Sequence, residues 1–256
     1  TGYTTIFSIS LSLFIVAVIC SLFVNRRSAE GKFYFKRILI ERIRNKNWAK
    51  VLRANFSQGL REGVFLFVIS IWVFLVTDSE LSLGTFNLVY SACSFVCYYL
   101  VTRFIKPPMR KRAIFIGGMI LYFSIYLILF FHSYTVLLIY AAIIGTAYPI
   151  IYVPYFSLSY DVIGSAWNAK SMRIEYIVVK ELFLNSGRVF SLLLFLLVTS
   201  IFTAEDAIPY LLATVGIGHL LISFFMKGVE LKRTPPIERK KSSAIIRKEV
   251  SEEENR

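Results

Sequence analysis

Long apolar runs alternate with short polar connections along most of this chain. The runs cover about residues 4–24, 56–77, 83–102, 113–131, 135–158, 178–202 and 208–226. Most reach the ~20 residues that cross a ~30 Å hydrocarbon core. The pattern predicts an all-α integral membrane protein with seven transmembrane helices. Pro107 and Pro108 stop the third run, because proline lacks an N–H and restricts the residue before it. Pro149 and Pro154 fall inside the fifth, where neighbouring helices or water must satisfy the freed carbonyls. The first run is long enough to span and the chain begins at Thr1, so an upstream portion is expected to be missing.

Charge gives the runs a direction. The net charge is +13, and the cations sit in the hydrophilic connections. Residues 25–53 carry ten Lys/Arg against two Glu, and 103–112 hold five cations in ten residues. Short basic loops resist translocation. All 29 Lys/Arg therefore fall on the expected cytoplasmic side or near the cytoplasmic start of a span, whereas the expected outer loops hold Asp78, Glu80, Glu205 and Asp206. Topology thus accounts for the positive charge without nucleic acid as a partner. The expected topology has the N-terminus outside and the C-terminus in the cytoplasm, in the cell membrane. Four segments follow: a single transmembrane helix over 1–24, a basic cytoplasmic linker over 25–55, a six-helix body over 56–226, and a disordered cytoplasmic tail over 227–256. The stretch Lys32–Arg37 mixes aromatics with cations and suits contact with anionic headgroups.

Charged and amide side chains inside apolar runs are costly and mark function by default. In the second run Asn55, Gln58 and Glu62 share a helix face at i, i+3, i+7, with Arg61 one position round. In the sixth, Glu181, Asn185 and Arg188 repeat that arrangement at i, i+4, i+7. Both sets lie toward the cytoplasmic side, as suits a shared half-cavity closed by a Glu62–Arg188 pair. Asn87, Tyr90, Tyr148, Tyr152, Tyr155 and His219 are lesser candidates. Cys20, Cys93 and Cys97 lack a ligand partner at metal spacing and read as buried structural thiols. No Ser/His/Asp set, metal motif or phosphate-binding Gly loop is present, so neither an enzyme nor a cofactor is expected. No Lys lies in the last run, which excludes a retinal protein.

One span, a long basic linker and six tightly connected spans together resemble part of a major facilitator superfamily (MFS) transporter. The corresponding parts are the last helix of the N-terminal half, the central loop and the six-helix C-terminal half. The loop holding Arg103, Lys106, Arg110, Lys111 and Arg112 sits where that family repeats a basic cytoplasmic gate motif. The motif's Asp is absent here, and Pro107-Pro108 replace small residues. The resemblance implies a bundle of two inverted three-helix repeats. It further implies a missing N-terminal transporter half as partner, and a small polar or charged solute moved by alternating access within the lipid bilayer. The alternative is a transporter-like membrane scaffold or regulator that does not transport.

Overall fold

The computed structural model describes residues 2–23, 34–131, 133–169 and 171–230. It falls into two compact units, 1–33 and 34–256. The Asn25-Arg26-Arg27 run, much of the expected linker and most of the expected tail lie outside the described residues. The first unit holds α1 (Gly2–Leu22), 21 residues without a charge. At 1.5 Å per residue that is about 30 Å of helix, but its described apolar stretch, Phe7–Leu22, is shorter than the helices that qualify as membrane-crossing, so the expected first span is not among them.

The second unit begins with two short helices, α2 (Phe35–Arg44) and α3 (Lys46–Glu62), followed by α4 (Phe65–Thr77). Beyond them lie α5 (Glu80–Phe104), a 3-10 turn (Pro107–Met109), α6 (Arg110–Phe130), α7 (Tyr134–Gly164), α8 (Arg173–Ile201) and α9 (Ala204–Lys227). The described residues contain no strand. Six stretches of this unit are long and apolar enough to cross a membrane, the first formed by α3 and α4 together.

That first stretch departs from expectation at both its start and its middle. It begins at Lys46, ten residues ahead of 56, because Asn45 caps it: the Asn45 side chain accepts the backbone N–H groups of Asn47 and Trp48. Helix capping of this kind offsets donors that would otherwise stay unpaired. Trp48, Val51, Leu52 and Asn55 then form one buried stripe, and the cations Lys46, Lys50 and Arg53 occupy other faces. The helix breaks at Gly63–Val64, where Val64 takes φ −129° and α4 starts afresh. Gly63 packs directly on α8: a Cβ there would lie 2.7 Å from the Arg188 carbonyl oxygen.

Within this unit α3 packs against α8 and α9, α7 packs against α5 and α6, and α6 and α9 pack on each other. Lipid tails are as apolar as leucine, so association in a bilayer rests on close packing and interhelical hydrogen bonds. The α3–α8 seam is backbone on backbone. A Cβ on Gly59 would fall 1.8 Å from the Leu184 carbonyl oxygen, and one on Gly187 would fall 2.2 Å from that of Phe56. The α5–α7 seam solves the proline problem of α7. Pro149 cannot bond the Gly145 carbonyl four residues back, and Ser94 of α5 donates to that oxygen at 3.1 Å. One turn on, the Cys97 thiol donates to the Thr146 carbonyl at 3.0 Å. Cys97 is buried as expected, Cys93 is half-buried and Cys20 is exposed, so burial does not extend to all three thiols.

Candidate functional site

The last turn of α3 carries Gln58, Arg61 and Glu62 into the space between α7 and α8. Arg61 is 3% exposed and does not reach toward headgroups. Its guanidinium lies 4.7 Å from the centre of the Tyr148 ring and donates to the Tyr148 hydroxyl at 2.7 Å. On its other side Phe65 separates it from His219: Arg61 is 5.9 Å from that ring, and His219 meets it edge-on at 5.7 Å. His219 is buried, and its Nε2 has no hydrogen-bond partner among the described residues.

Glu62 is the hub. Its Oε1 accepts from Gln58 Nε2 at 2.8 Å, from the Tyr152 hydroxyl at 2.5 Å and, at longer range, from Arg61 at 3.3 Å and Tyr148 at 3.4 Å. Its Oε2 accepts from Arg188 of α8 at 2.8 Å. Gln58 Nε2 also donates to the Tyr152 hydroxyl. The tyrosines stand one turn apart on α7, their rings stacked at 4.7 Å. Arg188 is held by Asn185, whose Oδ1 accepts from it at 3.2 Å, and the Asn185 amide donates in turn to the Glu181 carbonyl at 2.9 Å. A charge at the centre of a membrane helix costs about 2.5–3.5 kcal/mol on insertion scales, and here each charge is met by several partners. Arg188 remains 45% exposed at its side chain, against 11% for Glu62.

The Glu62–Arg188 pair expected from spacing is thus present, and Gln58, Arg61 and Asn185 belong to the same network. Other candidates lie outside it. Asn55 is buried one turn earlier and donates to the Val51 carbonyl. Glu181 pairs with its neighbour Lys180 at 3.2 Å, not with Arg188. Asn87 is exposed on α5 and does not touch Glu62. Tyr152 and Tyr148 rise from lesser candidates to direct ligands of the carboxylate. Their i, i+4 spacing around Pro149 was the available signal.

The basic loop splits. Arg103, Lys106 and Arg112 are exposed and Lys111 is half-exposed, while Arg110 pairs with Asp161 at the end of α7 at 2.6 Å. A carboxylate from another helix therefore serves the loop that lacks its own Asp. Among the described residues no cluster of His, Cys, Asp and Glu is placed to hold a metal ion.

The chain is 51% identical over 232 residues to YqgE, an uncharacterized protein of Bacillus subtilis (strain 168). The match takes in 91% of this chain and 54% of that protein, so the chain spans about half the length of the curated relative it matches. No family model matches the chain. No solved structure matches it either.

Proposed function

We propose that this chain is part of an MFS-type transporter that moves a small polar or charged solute, by preference an anion, past Glu62 and Arg188 by alternating access. The observation that carries the reading is the polar network at the meeting of three apolar helices, beside a helix break. Two arginines face one glutamate there, leaving one positive charge over. The half-exposed Arg188 guanidinium is the group that reaches an incoming carboxylate or other oxyanion. Discontinuous helices beside buried charge are a recurrent feature of solute sites in secondary transporters.

The helix neighbours support the repeat architecture. Exchange α3 with α7, α5 with α8, and α6 with α9. The α3–α8 contact becomes α7–α5, α3–α9 becomes α7–α6, and α6–α9 returns to itself. Two inverted three-helix repeats produce this invariance. The small-residue seams obey it too, since Gly59 of α3 lies against α8 as Gly145 of α7 lies against α5. In this reading α1 is the last helix of the other half, and the longer relative, of which the match covers 54%, has room for that half.

The test is uptake by the full-length protein in proteoliposomes, offered small carboxylates and inorganic oxyanions beside neutral sugars and cations. Uptake of an anion that is lost in Arg188→Gln supports the reading. Equal leakage of every solute, with a stoichiometric membrane protein co-purifying without ligand, favours a scaffold instead.

A further inference from the structure

A second cationic site lies outside the Glu62 network, at the elbow where α2 meets α3. There an open pocket of about 560 Å³ is walled by Arg42 and Ile43 of α2, Lys46, Lys50 and Arg53 of α3, and Phe183 of α8. Lys46, Lys50 and Arg53 follow i, i+4, i+7 and so share a helix face. No acid lines the pocket, and Arg42, Lys46 and Arg53 form no ion pair among the described residues. Lys46 and Lys50 also line the adjoining cleft with Glu41 and Glu230, but no acid lines the pocket that the four cations share, and an anion placed there relieves their repulsion.

The elbow is built to hold its shape. Trp48 is fully buried, donates to the Ile38 carbonyl at 3.3 Å and meets Tyr176 of α8 edge-on at 5.0 Å. Arg37 lies 4.7 Å over the Trp167 ring. Asn47 exchanges two hydrogen bonds with the Glu230 backbone just past α9, and Lys50 donates to the Gly228 carbonyl. The remaining cations are therefore displayed on a fixed frame, with Arg42 turned 5.8 Å over the Phe183 ring.

Apolar groups at the same spot identify the ligand. Ile40 is 49% exposed and Ile43 76%, one turn apart beside the cations. Leu182, next to Phe183 on the membrane-crossing α8, is also half-exposed. A soluble oxyanion has no use for these side chains. A phospholipid uses both, with its phosphate on the cations and its acyl chains against the apolar surface, as amphipathic helices do at membrane interfaces.

We infer that this elbow is a binding site for the headgroup of an anionic phospholipid, its phosphate held by Arg42, Lys46 and Arg53. The test is native mass spectrometry of the full-length protein released from nanodiscs of phosphatidylcholine and phosphatidylglycerol. Phosphatidylglycerol should be retained in preference, and Arg42→Gln/Arg53→Gln should lower that retention by about thirtyfold, at ~1 kcal/mol for each of the two cations removed. Arg42→Lys/Arg53→Lys should restore most of it. Arg103→Gln/Lys106→Gln, which removes two exposed cations elsewhere, should leave it unchanged. If the elbow pair does not yield monodisperse protein, exposed Lys46→Gln is read in its place. Equal retention of the two lipids, an equal loss in the loop control, or unchanged retention in the elbow variants overturns the site. Displacement of the lipid by millimolar inorganic phosphate would overturn the lipid and leave a soluble-anion site.

Discussion

At the residue scale the network is unequal in its dependence on its members. Glu62 faces Arg61 and Arg188 together, so Glu62→Gln strands a buried guanidinium at Arg61. Breaking one side of a buried pair costs about 3–5 kcal/mol. Arg188→Gln leaves Glu62 with Arg61, Gln58 and Tyr152, and the side chain removed is 45% exposed. Its cost to stability should be about 1 kcal/mol or less, near the surface-pair range. Unfolding of the two variants in lipid, read against the double variant, checks this. Equal costs would mean that Arg61 does not hold Glu62. The Glu62–Arg188 pair was legible in the sequence because opposite charges sit at matching depth in two runs that both start at the cytoplasmic side. Tyr152 was not, since an uncharged tyrosine in an apolar run looks like packing until the fold turns its hydroxyl onto a carboxylate. Asp161 was hidden for the same kind of reason: 51 residues separate it from Arg110, and only the return of α7 brings them together.

At the scale of elements, α7 passes through two prolines without losing helical continuity. Ser94 replaces the N–H that Pro149 lacks. In the native helix Ser94→Ala should cost about 0.6–1.7 kcal/mol, the span of membrane-helix hydrogen bonds measured by mutant cycles. With Pro149→Ala in place, the new N–H competes for the Gly145 carbonyl and the cost of Ser94→Ala should fall toward zero. Additive losses in that cycle would remove Ser94 from this role. The six long apolar runs of the second unit and their order were readable from run lengths, although the separate helix α2 and the split into α3 and α4 were not. The start of α3 was not, because Lys46, Lys50 and Arg53 made an amphipathic helix read as a linker, although Trp48, Val51, Leu52 and Asn55 already had helical spacing. The break at Gly63–Val64 had a weaker signal. Gly63 stands one turn after Gly59 and, like it, packs on α8 while also ending α3.

At the scale of the molecule, the charge pattern sets which ends of the spans share a side. Cysteines placed at Ser79 and at Met109, in a background without the three native thiols, should label from opposite sides of sealed vesicles. Labelling of both from one side would break the topology on which the repeat reading depends. The central claim is that the Glu62–Arg188 site is a solute compartment opened to each side in turn, not a static polar knot. Its most direct test uses the full-length protein carrying Asn185→Cys, with Cys20→Ala, Cys93→Ala and Cys97→Ser so that the bond to Thr146 keeps a donor. In sealed proteoliposomes of defined orientation, the account predicts that a small anionic thiol reagent reaches residue 185 from either side. It should react there faster than a cationic reagent of equal size, because the site carries one positive charge in excess. Reaction from one side only, or no reaction until the protein is unfolded, would contradict it.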